Sequence, residues 1–198
     1  MPRDRRIFET GHIYHLTPTG NDERDVFTDD TDRANFLGRV ATVMPRHEID
    51  VLGYCLMSNH VHLLVVVRGP GEALSAAMQI LLGSYARWWN KNQARSGHLF
   101  EARFWDEPVT TDRHLLAAAR YIDLNPVAAR LHAAPEEYEW SSYRAHVGTG
   151  HPPAFLANSR FLRLVGRTPD HARSAYEEFV RDRLAGPEWP PPRKKRRR

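Results

Sequence analysis

Two histidines separated by one residue, His60 and His62, interrupt the apolar run Tyr54-Cys55-Leu56-Met57-Ser58-Asn59-His60-Val61-His62-Leu63-Leu64-Val65-Val66-Val67. On an extended strand successive side chains alternate between faces, so both imidazoles point to one side, about 7 Å apart, and Val61, Leu63 and Val65 face the other side as core. Two imidazoles so placed can grip one metal ion, or they can be plain sheet residues, and the spacing alone is compatible with both. A metal site with chemistry needs a third ligand and a reactive group from elsewhere in the chain.

The stretch after Asp112 offers both. Leu115, Ala119, Ile122 and Pro126 recur at steps of four, three and four, the apolar stripe of a helix. Tyr121 is six positions after Leu115 and stands about 120° from that stripe, so His114, Ala118, Tyr121 and Asn125 share a second face. A phenol and a carboxamide one turn apart on that face can be aimed at a single site. They can equally be a half-buried tyrosine whose hydroxyl bonds to Asn125.

The elements that must position these residues follow from pattern and punctuation. Gly11 to Thr17 alternates and ends at Pro18, a first strand closed by a turn at Gly20-Asn21-Asp22. The cluster Thr28-Asp29-Asp30-Thr31-Asp32 supplies N-caps for a helix carrying Phe36, Leu37, Val40 and Val43 and stopping before Pro45. Strands over about Asp50 to Met57 and His60 to Val67 flank a hairpin turn at Ser58-Asn59. Glu72 to Asn90 repeats Leu74, Met78, Leu81, Leu82, Tyr85 and Trp89 at helical spacing, with Arg87 and Trp88 off the stripe. A strand around Arg103 to Val109 precedes the helix from Asp112, a candidate N-cap, to about Asn125. Pro135 to Arg144 and Phe155 to Leu184 read as peripheral loops and short helices. The order strand, helix, strand, strand, helix, strand, helix predicts an α+β fold, a ferredoxin-like split βαβ sandwich whose antiparallel sheet carries helices on one face, with a C-terminal helical extension.

The chain has 198 residues, 41% apolar and 26% charged, enough for one well-filled domain. No apolar run reaches the roughly 20 residues that span a bilayer, and Met1 to Arg6 leads into no signal-peptide core, so a cytoplasmic protein is expected. The single cysteine, Cys55, excludes an internal disulfide and reads as a buried thiol. The net charge of +4 resembles a nucleic-acid signature, but six of the 28 basic residues lie in 186–198 with one of the 24 acids. The body is therefore nearly neutral. We expect one domain over 1–185 and a disordered Pro-rich basic tail over 186–198, where Arg193, Lys194, Lys195 and Arg196 either hold phosphates without sequence preference or serve solubility.

Taken together, Tyr54 to Val65, Tyr121-Ile122-Asp123-Leu124-Asn125-Pro126-Val127 and Trp140-Ser141-Ser142-Tyr143 resemble the REP-associated tyrosine transposases, relatives of the IS200/IS605 transposases in the HUH single-strand nuclease superfamily. Thr10 to Asn21, Gly97 to Phe104 and Tyr176 to Val180 add to the resemblance, which covers about residues 10–185. It implies that His60, His62 and Asn125 hold a divalent ion, Mg²⁺ or Mn²⁺, although two imidazoles and a carboxamide on their own would suit manganese or zinc. It implies that Tyr121 is a nucleophile giving a 5′-phosphotyrosine and a free 3′-OH on single-stranded DNA with palindromic hairpins. A monomer associated with a bacterial nucleoid is expected, with Arg87, Arg103, Arg120 and Arg130 as candidate phosphate contacts. His114 is a candidate general base for Tyr121. Many relatives carry an arginine directly after the Asn-Pro-Val motif, where this chain has Ala128 and Ala129 before Arg130. Two other readings share these features: a hairpin-binding protein of the same fold that does not cut, and a metal-dependent hydrolase in which Tyr121 only positions substrate.

Overall fold

A computed structural model describes residues 6–101 and 103–186. The tail over 187–198, with its candidate phosphate contacts Arg193 to Arg196, lies outside the described residues. Four strands, β1 (Ile13–Thr17), β2 (Ile49–Leu56), β3 (Val61–Val67) and β4 (Trp105–Val109), form one sheet in the order β2-β3-β1-β4. Every neighbouring pair is antiparallel. Helix α1 (Asp30–Arg46) connects β1 to β2, and α2 (Glu72–Asn92) connects β3 to β4, so the element order gives the expected split βαβ sheet.

Because β3 is central, it is buried on both faces and reads as continuous apolar sequence. Val61, Leu63 and Val65 pack with Leu16 and Tyr14 under α1 and α2, through Phe36, Val40 and Met44 of α1 and Leu74, Met78, Leu81 and Tyr85 of α2. Leu64 and Val66 belong to the other face. There the expectation of helices on one face needs completing. The two crossover helices share a face, but α3 (Asp112–Asp123), α6 (Asn158–Val165) and α7 (Pro169–Ala185) cover the opposite one, with Leu115, Ala119, Ile122, Phe161 and Tyr176 meeting Leu52, Cys55 and Leu64. The segment expected to form peripheral short helices thus contributes a 17-residue helix with fully buried Tyr176 and Val180.

Local signals account for most boundaries. The Asp29 side chain accepts from the Asp32 N–H and caps α1. That helix runs through Pro45 instead of stopping before it; a proline in the last turn forfeits one helical bond, and buried Val43 and Met44 hold the turn down. At α3 the cap is Thr111, whose hydroxyl oxygen accepts from His114 N–H, one residue before the expected Asp112. After α3 the chain passes through Leu124 into the short α4 (Asn125–Ala128), because Pro126 cannot continue the hydrogen-bond ladder.

The outer edge of β2 is covered by the chain itself. Leu56 N–H donates to the Trp140 carbonyl, Ser142 N–H to the Tyr54 carbonyl and Ala157 N–H to the Val51 carbonyl. Covering that edge removes a template for strand addition and ties the C-terminal helices, including α5 (Tyr143–Val147), to the sheet. Cys55 is buried as expected, and burial pushes its thiol well above the ordinary range. No helix among the described residues is long and apolar enough to cross a membrane.

Candidate active site

The site lies at one end of the sheet face that α3 crosses. His62 is the second residue of β3, and His60 stands just before the strand, bridged to Thr19. Their Nε2 atoms are 3.1 Å apart with ring planes nearly perpendicular. Each ring is held from behind through Nδ1. The Asn59 Oδ1 lies 2.7 Å from His60 Nδ1, placed to accept a proton from it and turn Nε2 toward His62. His62 Nδ1 lies 2.9 Å from His15 Nε2 and 3.2 Å from Thr17 Oγ, both supplied by β1.

His15 is almost fully buried, and its pKa is pushed down to about 4 by burial first, then by the proximity of His114 and His60. A neutral His15, together with the Thr17 hydroxyl, thus holds the His62 ring through Nδ1 and leaves its Nε2 facing His60. The two Nε2 atoms face each other at 3.1 Å, a spacing that a shared cation would fit, with the Nδ1 partners placed as the outer hydrogen bonds that orient metal-binding imidazoles. The donor set fits a divalent ion on these grounds. Among the described residues no cluster of three or more His, Cys, Asp and Glu side chains is placed to hold a metal.

Tyr121 comes over this pair from α3. Its ring meets His62 edge-on at a centroid distance of 5.5 Å and His15 at 6.0 Å. It is nonetheless 53% exposed, so a large aromatic is presented to solvent directly above two imidazoles. The second face of α3, about 120° from the apolar stripe, therefore meets the histidines instead of pointing wholly to solvent, and Ala118 one turn before Tyr121 is buried. Asn125 begins α4, half-buried, four residues beyond Tyr121. The break at Leu124 takes one residue whose backbone stays near-helical, so Asn125 remains about one turn above Tyr121.

Trp105 on β4 completes the rim. It is 49% exposed and meets His15 edge-on at 5.6 Å. Spacing gave no sign of it, since a tryptophan at a strand start reads as core until the register places Trp105 opposite Thr17. His15 and Thr17 were equally hidden in an ordinary alternating strand. His114 lies two turns before Tyr121, with Nε2 3.7 Å from Glu107 Oε1.

The candidate phosphate contacts divide. Arg87, Arg103 and Arg130 are exposed, on α2, before β4 and after α4 respectively. Arg120 is engaged in the fold: its guanidinium lies 3.8 Å from the ring centroid of Phe179 on α7 and donates to the Phe179 carbonyl at 3.2 Å. Burial, then Arg183, lowers its pKa.

Residues 9–125 match the family model described as "Transposase IS200 like". The chain belongs to the IS200-like transposase family. The match begins just before β1 and ends on Asn125, so it spans the whole sheet, both crossover helices and the helix bearing Tyr121. Similarity extends further in individual relatives. A protein of Haemophilus influenzae described as a candidate REP-associated tyrosine transposase is 24% identical over 176 residues, covering 84% of this chain and 99% of its own. Among solved structures, a REP-associated tyrosine transposase bound to a REP hairpin superposes with a TM-score of 0.61 at 15% identity, covering 79% of this chain and 92% of that one. That likeness establishes a shared fold over more of the chain than the family model matches.

Proposed function

We propose that this transposase is a metal-dependent single-stranded DNA endonuclease and strand transferase acting at short palindromic hairpins of the REP type, with Tyr121 as nucleophile. The observation that carries the proposal is the placement of an exposed Tyr121 edge-on above His62, whose Nε2 faces that of His60 at 3.1 Å. The hairpin substrate is drawn from the relatives described above, which are named for REP elements.

A phosphodiester resists attack because it is anionic and its 3′ alkoxide leaves poorly. Held by His60, His62 and Asn125, Mg²⁺ or Mn²⁺ would supply positive charge at the scissile phosphate and its leaving oxygen. The chain's own residues do the rest. Asn59, His15 and Thr17 hold the two imidazole rings through Nδ1 so that their Nε2 atoms face one another. Tyr121, once its phenolic proton has passed to solvent or a nearby base, attacks phosphorus; the P–O3′ bond breaks, and the departing 3′ oxygen takes up a proton. The cut strand stays attached as a 5′-phosphotyrosine. Attack by a 3′-OH on that linkage regenerates Tyr121 and joins strands without an external energy source.

The test is incubation with hairpin-bearing single-stranded DNA and Mn²⁺, followed by a denaturing gel. The proposal expects a protein–DNA band in the wild type and none in Tyr121→Phe. Cleavage without that band would identify a hydrolase, and hairpin binding without cleavage a non-cutting binding protein.

A further inference from the structure

Asp123 is a carboxylate that this chemistry leaves unused. It lies on the chain midway between Tyr121 and Asn125, and at roughly 100° per residue it leaves α3 on the side opposite to both. Tyr121 is half exposed, whereas Asp123 has no accessible surface at all. Three groups converge on it. Ser142 Oγ donates to Oδ1 at 3.0 Å, Tyr176 Oη donates to Oδ2 at 2.8 Å, and His146 Nδ1 lies 2.9 Å from Oδ2.

Each of those groups is itself anchored. His146 Nε2 lies 2.9 Å from the Leu52 carbonyl, and its fully buried ring stacks on Phe161 at 3.9 Å. Ser142 Oγ also accepts from the Tyr54 N–H at 3.0 Å. Tyr176 meets both His146 and Phe161 edge-on. Strand β2 and helices α5, α6 and α7 therefore meet at one carboxylate on α3. Little slack is left, because a Cβ at Gly53 would come 3.3 Å from Ser142 Oγ and 3.4 Å from His146 Cε1.

A leucine would bury comparable area at this point of α3 without the cost of desolvating a charge. What a carboxylate adds is direction. Apolar contact is indifferent to rotation of a helix about its axis, whereas three hydrogen bonds at fixed angles are not. A rotation of α3 by about 20° would swing the Tyr121 hydroxyl, roughly 8 Å from the axis, by about 3 Å. A misplacement of only about 1 Å can cost a hundredfold in rate.

We infer that Asp123, held by His146, Ser142 and Tyr176, is a positioning residue that fixes the rotation of α3 and thereby aims Tyr121 at the His60–His62 pair. The inference rests on reading Tyr121 as the nucleophile, and it gives the C-terminal helices a task in a site they do not line. Asp123 touches neither DNA nor the ion; it acts through the helix.

NMR on full-length protein labelled at histidine and tyrosine tests the aim directly. Tyr121 ring signals are identified by their loss in Tyr121→Phe, and the wild type should show NOEs from that ring to His62 and His15. In Asp123→Asn, and in the milder Tyr176→Phe should the first not fold, these NOEs are expected to weaken at least threefold while those across the β1–β3 ladder persist. In parallel, the single-turnover rate of covalent joining to hairpin DNA should fall at least tenfold while hairpin Kd shifts less than threefold. Unchanged Tyr121 NOEs in a folded variant would overturn the inference, as would a rate loss that merely tracks the unfolded fraction. A wild type that joins no DNA would defeat the nucleophile reading instead, and the NOEs would still decide whether Asp123 sets the aim.

Discussion

The rings of Tyr121 and His62 meet edge to face at 5.5 Å, one carried by a helix and the other by the central strand of the sheet. The contact sets an exposed phenol against a buried imidazole, and it separates what each partner does. His62 is fixed from behind by His15 and Thr17, while Tyr121 is left accessible.

Replacing His60 or His62 by alanine should abolish the covalent band and lower Mn²⁺ affinity at least tenfold by calorimetry, while hairpin affinity changes less than threefold. His62→Ala should also cost about 1–3 kcal/mol of stability, because it strands the buried His15 Nε2 without its partner. His60 is only part-buried and should cost less. A folded His60→Ala protein that binds Mn²⁺ as tightly as wild type would remove the ion from this pair.

His15 makes the metal-free fold sensitive to acid. Its pKa is near 4 folded against an ordinary 6.5, so the unfolded chain binds more protons between those values. Stability contributed by the neutral ring is complete above about pH 6.5 and is lost as pH falls toward 4, up to about 3 kcal/mol. Urea unfolding at pH 7, 6 and 5 should show that decline, and His15→Gln should flatten it. A slope unchanged in the variant would assign the acid sensitivity to other groups.

Trp105 is half exposed beside His15, on the rim where a strand approaching Tyr121 would pass. A base stacked on such a ring contributes about 1–3 kcal/mol. Trp105→Ala should therefore weaken single-stranded DNA binding roughly tenfold or more, with a stability change within about 0.5 kcal/mol. Equal affinities by fluorescence anisotropy would remove Trp105 from the path of the strand.

Arg120 is expected to matter for folding rather than for DNA. Its guanidinium over Phe179 joins α3 to α7, a cation–π contact of about 0.5–2 kcal/mol. Arg120→Ala should lower thermal stability and leave the salt dependence of DNA binding unchanged. A salt slope reduced by about one would return Arg120 to the phosphate contacts.

The sequence by itself determined the local elements, since periodicity, capping and turn chemistry act between near neighbours. The hairpin at Ser58-Asn59, the buried alternation of β3, the stripe of α2, the inert Cys55 and the end of α3 ahead of Asn125-Pro126 were all legible that way. So was the candidate trio of His60, His62 and Tyr121, once its motifs were read together. Tertiary structure alone decided which residues stand behind them. His15 and Thr17 reach His62 through strand register, Arg120 is drawn to α7, and Asp123 is bonded by Ser142, His146 and Tyr176. None of these pairings has a period or a spacing, because each is set by where distant segments dock. A carboxylate beside an apolar stripe looks like a solvated charge until the helix that buries it is in place.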